Sequence, residues 1–135
     1  MMDASIRPQP DHDADGYYAG LRQGKLMLKH CRDCDRPHFY PRELCPHCHS
    51  DALEWRESKG TGEVYSYTIV RRPPPIMKGR EPYAVALVEL DEGPRMMAPI
   101  AGCEPGAVFI GQRMRIGFNQ ADEELVLPTF SPIED

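Results

Sequence analysis

The sequence predicts a mainly β protein: a short N-terminal helix and a small cysteine-held ribbon, followed by a five-stranded antiparallel barrel. Three observations carry that expectation. Four of the five cysteines fall into two C-x-x-C pairs, Cys31/Cys34 and Cys45/Cys48. After Lys59 the chain breaks into short runs rich in β-branched and aromatic residues, each ended by a turn signal. Fourteen prolines and eleven glycines in 135 residues leave little room for long elements.

The elements follow in order. Residues 1–13 have the composition of a flexible tail, polar and acidic with two prolines. Within "DADGYYAGLRQGKL", Tyr17, Tyr18 and Leu21 share one face of a short helix. Asp13 or Asp15 could cap its start, and Gly24 could stop it. Gly16 and Gly20 weaken that helix, so an irregular segment is the competing reading. "KLMLKHC" reads as a strand entering the first cysteine pair, "PHFYPRELC" crosses to the second, and "LEWRES" returns. The two pairs thus sit at turns within a unit spanning residues 14–58.

Residues 59–135 form the second unit. "GTGEVYSYTIV" alternates Tyr65, Tyr67 and Ile69 with Ser66 and Thr68. "YAVALVEL" and "RMMAPIAG", joined by "DEGPR", read as a hairpin. "GQRMRIGFN" places Met114, Ile116 and Phe118 on one face, and "EELVLPTFSP" supplies a last strand. A helical turn near "CEPGAV" is the one interruption. Five short strands of this kind suggest an OB-like barrel, because closure removes edges that could pair wrongly; a flat sandwich is the alternative.

Composition limits the function. A net charge of −5 argues against non-specific nucleic-acid binding, which needs surplus Lys and Arg. No apolar run approaches the roughly eighteen residues of a membrane span. The polar N-terminus does not read as a signal peptide, which points to the cytoplasm, where paired cysteines more often bind metal than form disulfides.

Two-residue spacing lets a tight turn aim both sulfurs of a pair at one point. Two such turns can complete a tetrahedron of thiolates around Zn²⁺ at Cys31, Cys34, Cys45 and Cys48. Four thiolates leave no open position, so the expected role is structural. Iron in the same geometry, a bare redox dithiol, and replacement of one cysteine by His47 or His49 are the alternatives. His30, His38, His47 and His49 otherwise read as surface groups or as polar neighbours of the site. Cys103 reads as a small, half-buried apolar residue. A metal also explains how so short a ribbon holds together.

With these residues in view, the chain resembles the "domain of unknown function 35" family, in which a rubredoxin-like zinc ribbon precedes an OB-fold. "YYAGLRQGKLMLKHCRDC" is similar to the family's helix and first knuckle. "FYPRELCPHCHSDALEWRESKGTGEVYSYTIV" is similar to its second knuckle and entry to the barrel, and "YAVALVELDEG" and "GCEPGAVFIGQRMRIGF" to its barrel strands. The likeness runs from about Tyr17 to Phe130. The family often has Gly directly after each knuckle's second cysteine; here Asp35 and His49 stand there. Both tolerate the positive φ that such a place needs, so the metal site is expected to survive.

The resemblance implies a non-catalytic subunit of a thiolase-like enzyme of thiolase, aldolase or hydroxymethylglutaryl-CoA synthase type, stabilising it or helping to hold acyl-CoA. The residues agree in carrying no nucleophile elbow, no HExxH and no phosphate loop. In "RRPPPIMKGR", Arg71, Arg72, Lys78 and Arg80 could meet coenzyme A phosphates or a partner's acids, and three prolines stiffen the loop. An ordinary solvated loop is the plain alternative. The tyrosines of the first helix either pack on the ribbon or anchor an interface. The competing class is a single-stranded nucleic-acid module, with Tyr65, Tyr67 and Phe118 stacking on bases and Arg113 and Arg115 along the backbone.

Overall fold

The computed structural model describes residues 12–133. Of the expected tail, positions 1–11 lie outside the described residues, and His12–Ala14 form a 3₁₀ turn. Helix α1 follows at Asp15–Arg22. No side chain caps it: Ala14 is the N-cap, and Asp15 instead places its negative charge in the first turn, where the helix dipole favours it. Gly24 ends the helix as expected, with φ 74. The Gly24 N–H donates to the Leu21 carbonyl at 3.0 Å and the Lys25 N–H to the Gly20 carbonyl at 2.9 Å, the paired bonds of a Schellman motif.

Gly16 and Gly20 do not break α1, because packing offsets their low propensity. A Cβ on Gly16 would stand 2.4 Å from the Trp55 indole, and one on Gly20 2.5 Å from the Met27 side chain. The absence of side chains lets the ribbon's strands lie directly against the helix.

The ribbon is a three-stranded antiparallel sheet of β1 (Met27–Cys31), β2 (Arg36–His38) and β3 (Leu53–Glu57), in the order β2-β1-β3. β2 was not expected from "PHFYPRELC"; its three residues are too few for a periodic pattern, and only the pairing of Cys31 with Arg36 through Lys29 with His38 creates it.

Strands β4 (Thr61–Val70), β5 (Tyr83–Leu90), β6 (Arg95–Pro99), β7 (Arg113–Gln120) and β8 (Val126–Pro132) make the second sheet, ordered β6-β5-β4-β7-β8. It closes on itself just past β6, where Ile100 bridges Phe130 and the Ala101 N–H donates to the Phe130 carbonyl at 2.8 Å. The result is the expected nearly closed, five-stranded OB barrel. The "CEPGAV" stretch gives a single 3₁₀ turn, Pro105–Ala107.

The core is filled by Val64, Val88, Met96, Met114 and Phe130, each at most 1% exposed. Leu21 of α1, Leu26 just before β1 and Leu28 within it join the same cluster, so helix and ribbon close one side of the barrel. Cys103 packs half-buried against this core, as expected.

Tyr65 and Tyr67 depart from the simple alternation. A bulge between Val64 and Ser66 shifts the register of β4 against β5, and Tyr65 stands outside with the Arg95 guanidinium 3.7 Å from its ring centre. β4 meets β7 only through Thr61–Glu63. Each strand therefore runs past the other, which leaves Tyr67 and Phe118 partly in solvent.

Candidate metal centre

β1 delivers Cys31 to the first turn, and β2 begins two residues after Cys34. The second turn closes through the His49 N–H to the Cys45 carbonyl and the Cys45 N–H to the Ser50 carbonyl, both 2.8 Å. Asp35 and His49, directly after each pair, adopt φ 58 and 65. These are the positive-φ places anticipated for them, which only Gly and a few polar residues occupy readily. Both turns also aim backbone donors at sulfur: the Cys34 N–H at Cys31 Sγ (3.5 Å) and the His47 N–H at Cys45 Sγ (3.3 Å). The Ser50 hydroxyl donates to the Asp33 carboxylate and ties one turn to the other.

The four sulfurs of Cys31, Cys34, Cys45 and Cys48 lie within 4.8 Å of one another. The Cys31–Cys48 and Cys34–Cys45 sulfurs are each 3.6 Å apart. A tetrahedron with Zn–S bonds of about 2.3 Å has edges of about 3.8 Å, so the spacing fits one such ion. It is too long for a disulfide, whose S–S bond is about 2.0 Å.

The electrostatics agree. Backbone donation from Cys34 draws the Cys31 thiol below its usual value. Desolvation, and then the neighbouring sulfurs, push Cys34 up to about 12. Four thiols this close cannot all ionise without a compensating cation, and a divalent ion supplies that charge.

The histidines take other roles. The convergent group consists of the four cysteines. His47 and His49 are exposed on the second turn. His30 is buried rather than superficial, and its Nε2 lies 2.7 Å from Asp35 Oδ1, bracing the first turn. His38 is also buried, with neither ring nitrogen partnered. Desolvation, then His47, Arg42 and Lys29, lower its pKa and keep it neutral.

A carboxylate joint between ribbon and barrel was not anticipated. Glu92, in the β5–β6 turn, accepts from the Ser58 hydroxyl (2.8 Å) and the Lys59 N–H (2.9 Å). Beside it, Asp91 accepts two bonds from Arg113, at 2.8 and 3.0 Å, and one from the Thr61 hydroxyl. Arg113, then Thr61, hold Asp91 at about 2. The acids of "DEGPR" read only as turn residues in sequence; partners more than twenty positions away give them this role.

The helix tyrosines divide. Tyr17 is buried and meets Phe39 of the ribbon edge-on, with ring centres 5.2 Å apart. Tyr18 lines a groove of about 530 Å³ together with Tyr40, Met77, Met97 and Leu127. Of the basic loop, Arg80 lines the groove, whereas Arg71, Arg72 and Lys78 are exposed to solvent. No contact draws those four cations into one cluster among the described residues.

Residues 19–54 match the family described as the ChsH2 rubredoxin-like zinc ribbon, and residues 55–119 match the ChsH2 C-terminal OB-fold domain. The chain belongs to this ChsH2-type DUF35 family. Among curated proteins it is 37% identical, over 95% of its length, to a probable enoyl-CoA hydratase alpha subunit of Thermomonospora curvata. It spans only 40% of that relative. It is 35% identical to a DUF35 domain-containing scaffold protein of Methanocaldococcus jannaschii, covering 73% of this chain and 71% of that one. Among solved structures, a chain of the Ltp2-ChsH2(DUF35) aldolase superposes with a TM-score of 0.84 at 36% identity, covering 93% of this chain and 98% of that one. Family membership thus accounts for the order ribbon, then barrel. Among the described residues, no helix is long and apolar enough to cross a membrane.

Proposed function

We propose that this chain is a non-catalytic accessory subunit of an acyl-CoA-processing enzyme of thiolase-like type, a thiolase, an aldolase or a hydroxymethylglutaryl-CoA synthase. Cys31, Cys34, Cys45 and Cys48 hold one Zn²⁺, which supplies cross-linking and no reaction step. The observation that carries the proposal is the near-complete superposition, at 36% identity, on a chain of the Ltp2-ChsH2(DUF35) aldolase. The scaffold-protein name of the Methanocaldococcus relative points the same way. Arg71, Arg72 and Lys78 are exposed on a proline-stiffened loop, and in this reading they meet the phosphates of a coenzyme A thioester at the enzyme's mouth. Arg80, on the same loop, turns toward the groove.

The single-stranded nucleic-acid reading fits less well. Arg113 is committed to Asp91 and Tyr65 to Arg95, which removes a backbone contact and a stacking platform from that surface. The net acidity weighs against it as well.

The test is reconstitution. The chain should co-purify from its host with a thiolase-like enzyme, and that enzyme should lose stability or activity on acyl-CoA without it. The double charge reversal Arg71→Glu, Arg72→Glu should raise the complex's KM for acyl-CoA. Unchanged kinetics would remove the loop from the CoA contact, and turnover by the isolated chain would refute the accessory role.

A further inference from the structure

The groove lies where all parts of the fold meet. α1 contributes Tyr18, the ribbon Tyr40, the barrel Met97 and Leu127, and the basic loop Met77 and Arg80. Its rim is apolar and open: of its lining residues, Tyr40 is 55% exposed and Met97 60%. A small-molecule site encloses most of its ligand, about 70–90% of the ligand's surface. A groove whose rim side chains stay more than half in solvent continues outward as a surface, and Met and Tyr are the residues enriched on protein-binding surfaces.

Charge narrows the occupant. The chain is acidic, yet residues 71–82 carry Arg71, Arg72, Lys78 and Arg80 against one acid, Glu81. Glu81 is occupied by the N–H of Gly79 in its own loop, at 2.6 Å. Among the described residues, none of the four cations is in an ion pair. An apolar groove lined by the unpaired Arg80 is complementary to an apolar segment that carries an acid.

We propose that this groove seats an extended apolar segment of the partner enzyme, with an acidic residue of that segment meeting Arg80. The proposal rests on the accessory-subunit reading. Tyr18 and Tyr40 would flank the segment and Met97 would line its path. Because helix, ribbon and barrel each supply a wall, the segment would engage only a chain whose ribbon is held in place.

Photo-cross-linking tests this in the complex isolated from the native host. Benzoylphenylalanine is placed at Met97, in the groove, or at Phe109, an exposed residue at the opposite end of β7 from the groove's Asn119. The expected result is cross-linking from position 97 to an apolar, Asp- or Glu-bearing peptide of the enzyme subunit, identified by mass spectrometry. Met97→Glu and Arg80→Glu should each weaken association by roughly tenfold or more, as loss of a central anchor does. Both residues are exposed, so zinc content and melting temperature should not change. Cross-linking from position 109 alone, with the Met97→Glu complex intact, would overturn the groove and leave the accessory reading standing. Binding of hexanoyl-CoA to the isolated chain, abolished by Met97→Glu, would make the groove a ligand site and also overturn the proposal. No cross-link from either position, with the chain monomeric in sedimentation, would overturn the accessory reading and the groove together.

Discussion

The barrel and the ribbon are held by different forces. In the barrel, β5 alternates buried and half-buried residues along its whole length, and Met114 and Phe130 are fully enclosed. Burial of that kind contributes about 1.5–3 kcal/mol for each large apolar side chain. The ribbon has nothing comparable: no residue of β3 is fully buried, and β2 encloses only His38. Its buried apolar residues in the sheet are Leu28, which belongs to the barrel's core, and Cys31. Hydrophobic burial alone cannot hold the far end of the ribbon, where the four sulfurs converge. In the proposed reading a metal ion does there what side-chain packing does in the barrel.

The largest effect should come from breaking the clip. Cys45→Ser removes a buried sulfur, and structural zinc contributes on the order of 10 kcal/mol to folding in small ribbons. The variant should lose zinc by elemental analysis, and hydrogen exchange should accelerate across residues 25–57 while the barrel's amides stay protected. Phe130→Ala attacks the other half. It should cost about 3–5 kcal/mol in denaturant unfolding, and the remaining folded protein should keep its zinc.

Two glycines give a smaller and sharper contrast. A Cβ on Gly62 would stand 2.3 Å from the Glu89 carbonyl oxygen, backbone fixed by the β4–β5 ladder. A Cβ on Gly16 meets the Trp55 side chain, which can turn away. Gly62→Ala should cost about 1–3 kcal/mol and Gly16→Ala less, measured by chemical denaturation.

The smallest effect belongs to Asp91, beside the joint and bound within the barrel to Thr61 and Arg113. Asp91 is held at about 2, below the ordinary carboxylate value of about 3.9. Its contribution is therefore present above pH ~4 and lost as pH falls toward 2. The carboxylate is about one-third exposed, so solvent screening limits the contribution to about 1 kcal/mol or less. Asp91→Asn should be slightly less stable than the native chain at neutral pH, and the difference should vanish near pH 2 in an acid titration.

The sulfur cluster was the most legible part of the molecule, because two-residue spacing is a local constraint that survives in one dimension. The left-handed places at Asp35 and His49 were legible for the same reason, once the family likeness marked them. The barrel's strand count and closure also followed from alternation and turn chemistry. What escaped depends on distant partners. The outward turn of Tyr65 comes from a bulge that only the pairing with β5 creates. Gly16 and Gly20 look like helix breakers until Trp55 and Met27 lie against them. The groove draws on residues 18, 40, 77, 97 and 127, which no sequence pattern connects. The Glu92 joint spans more than thirty positions between carboxylate and hydroxyl.

Hydrogen exchange on the intact chain before and after a zinc chelator, with metal stoichiometry measured on the same sample, is the most direct test. One zinc per chain, with chelation stripping protection from residues 25–57 while β4 to β8 remain protected, is the expected result. A preparation without bound transition metal, or a ribbon as protected after chelation as before, would contradict it.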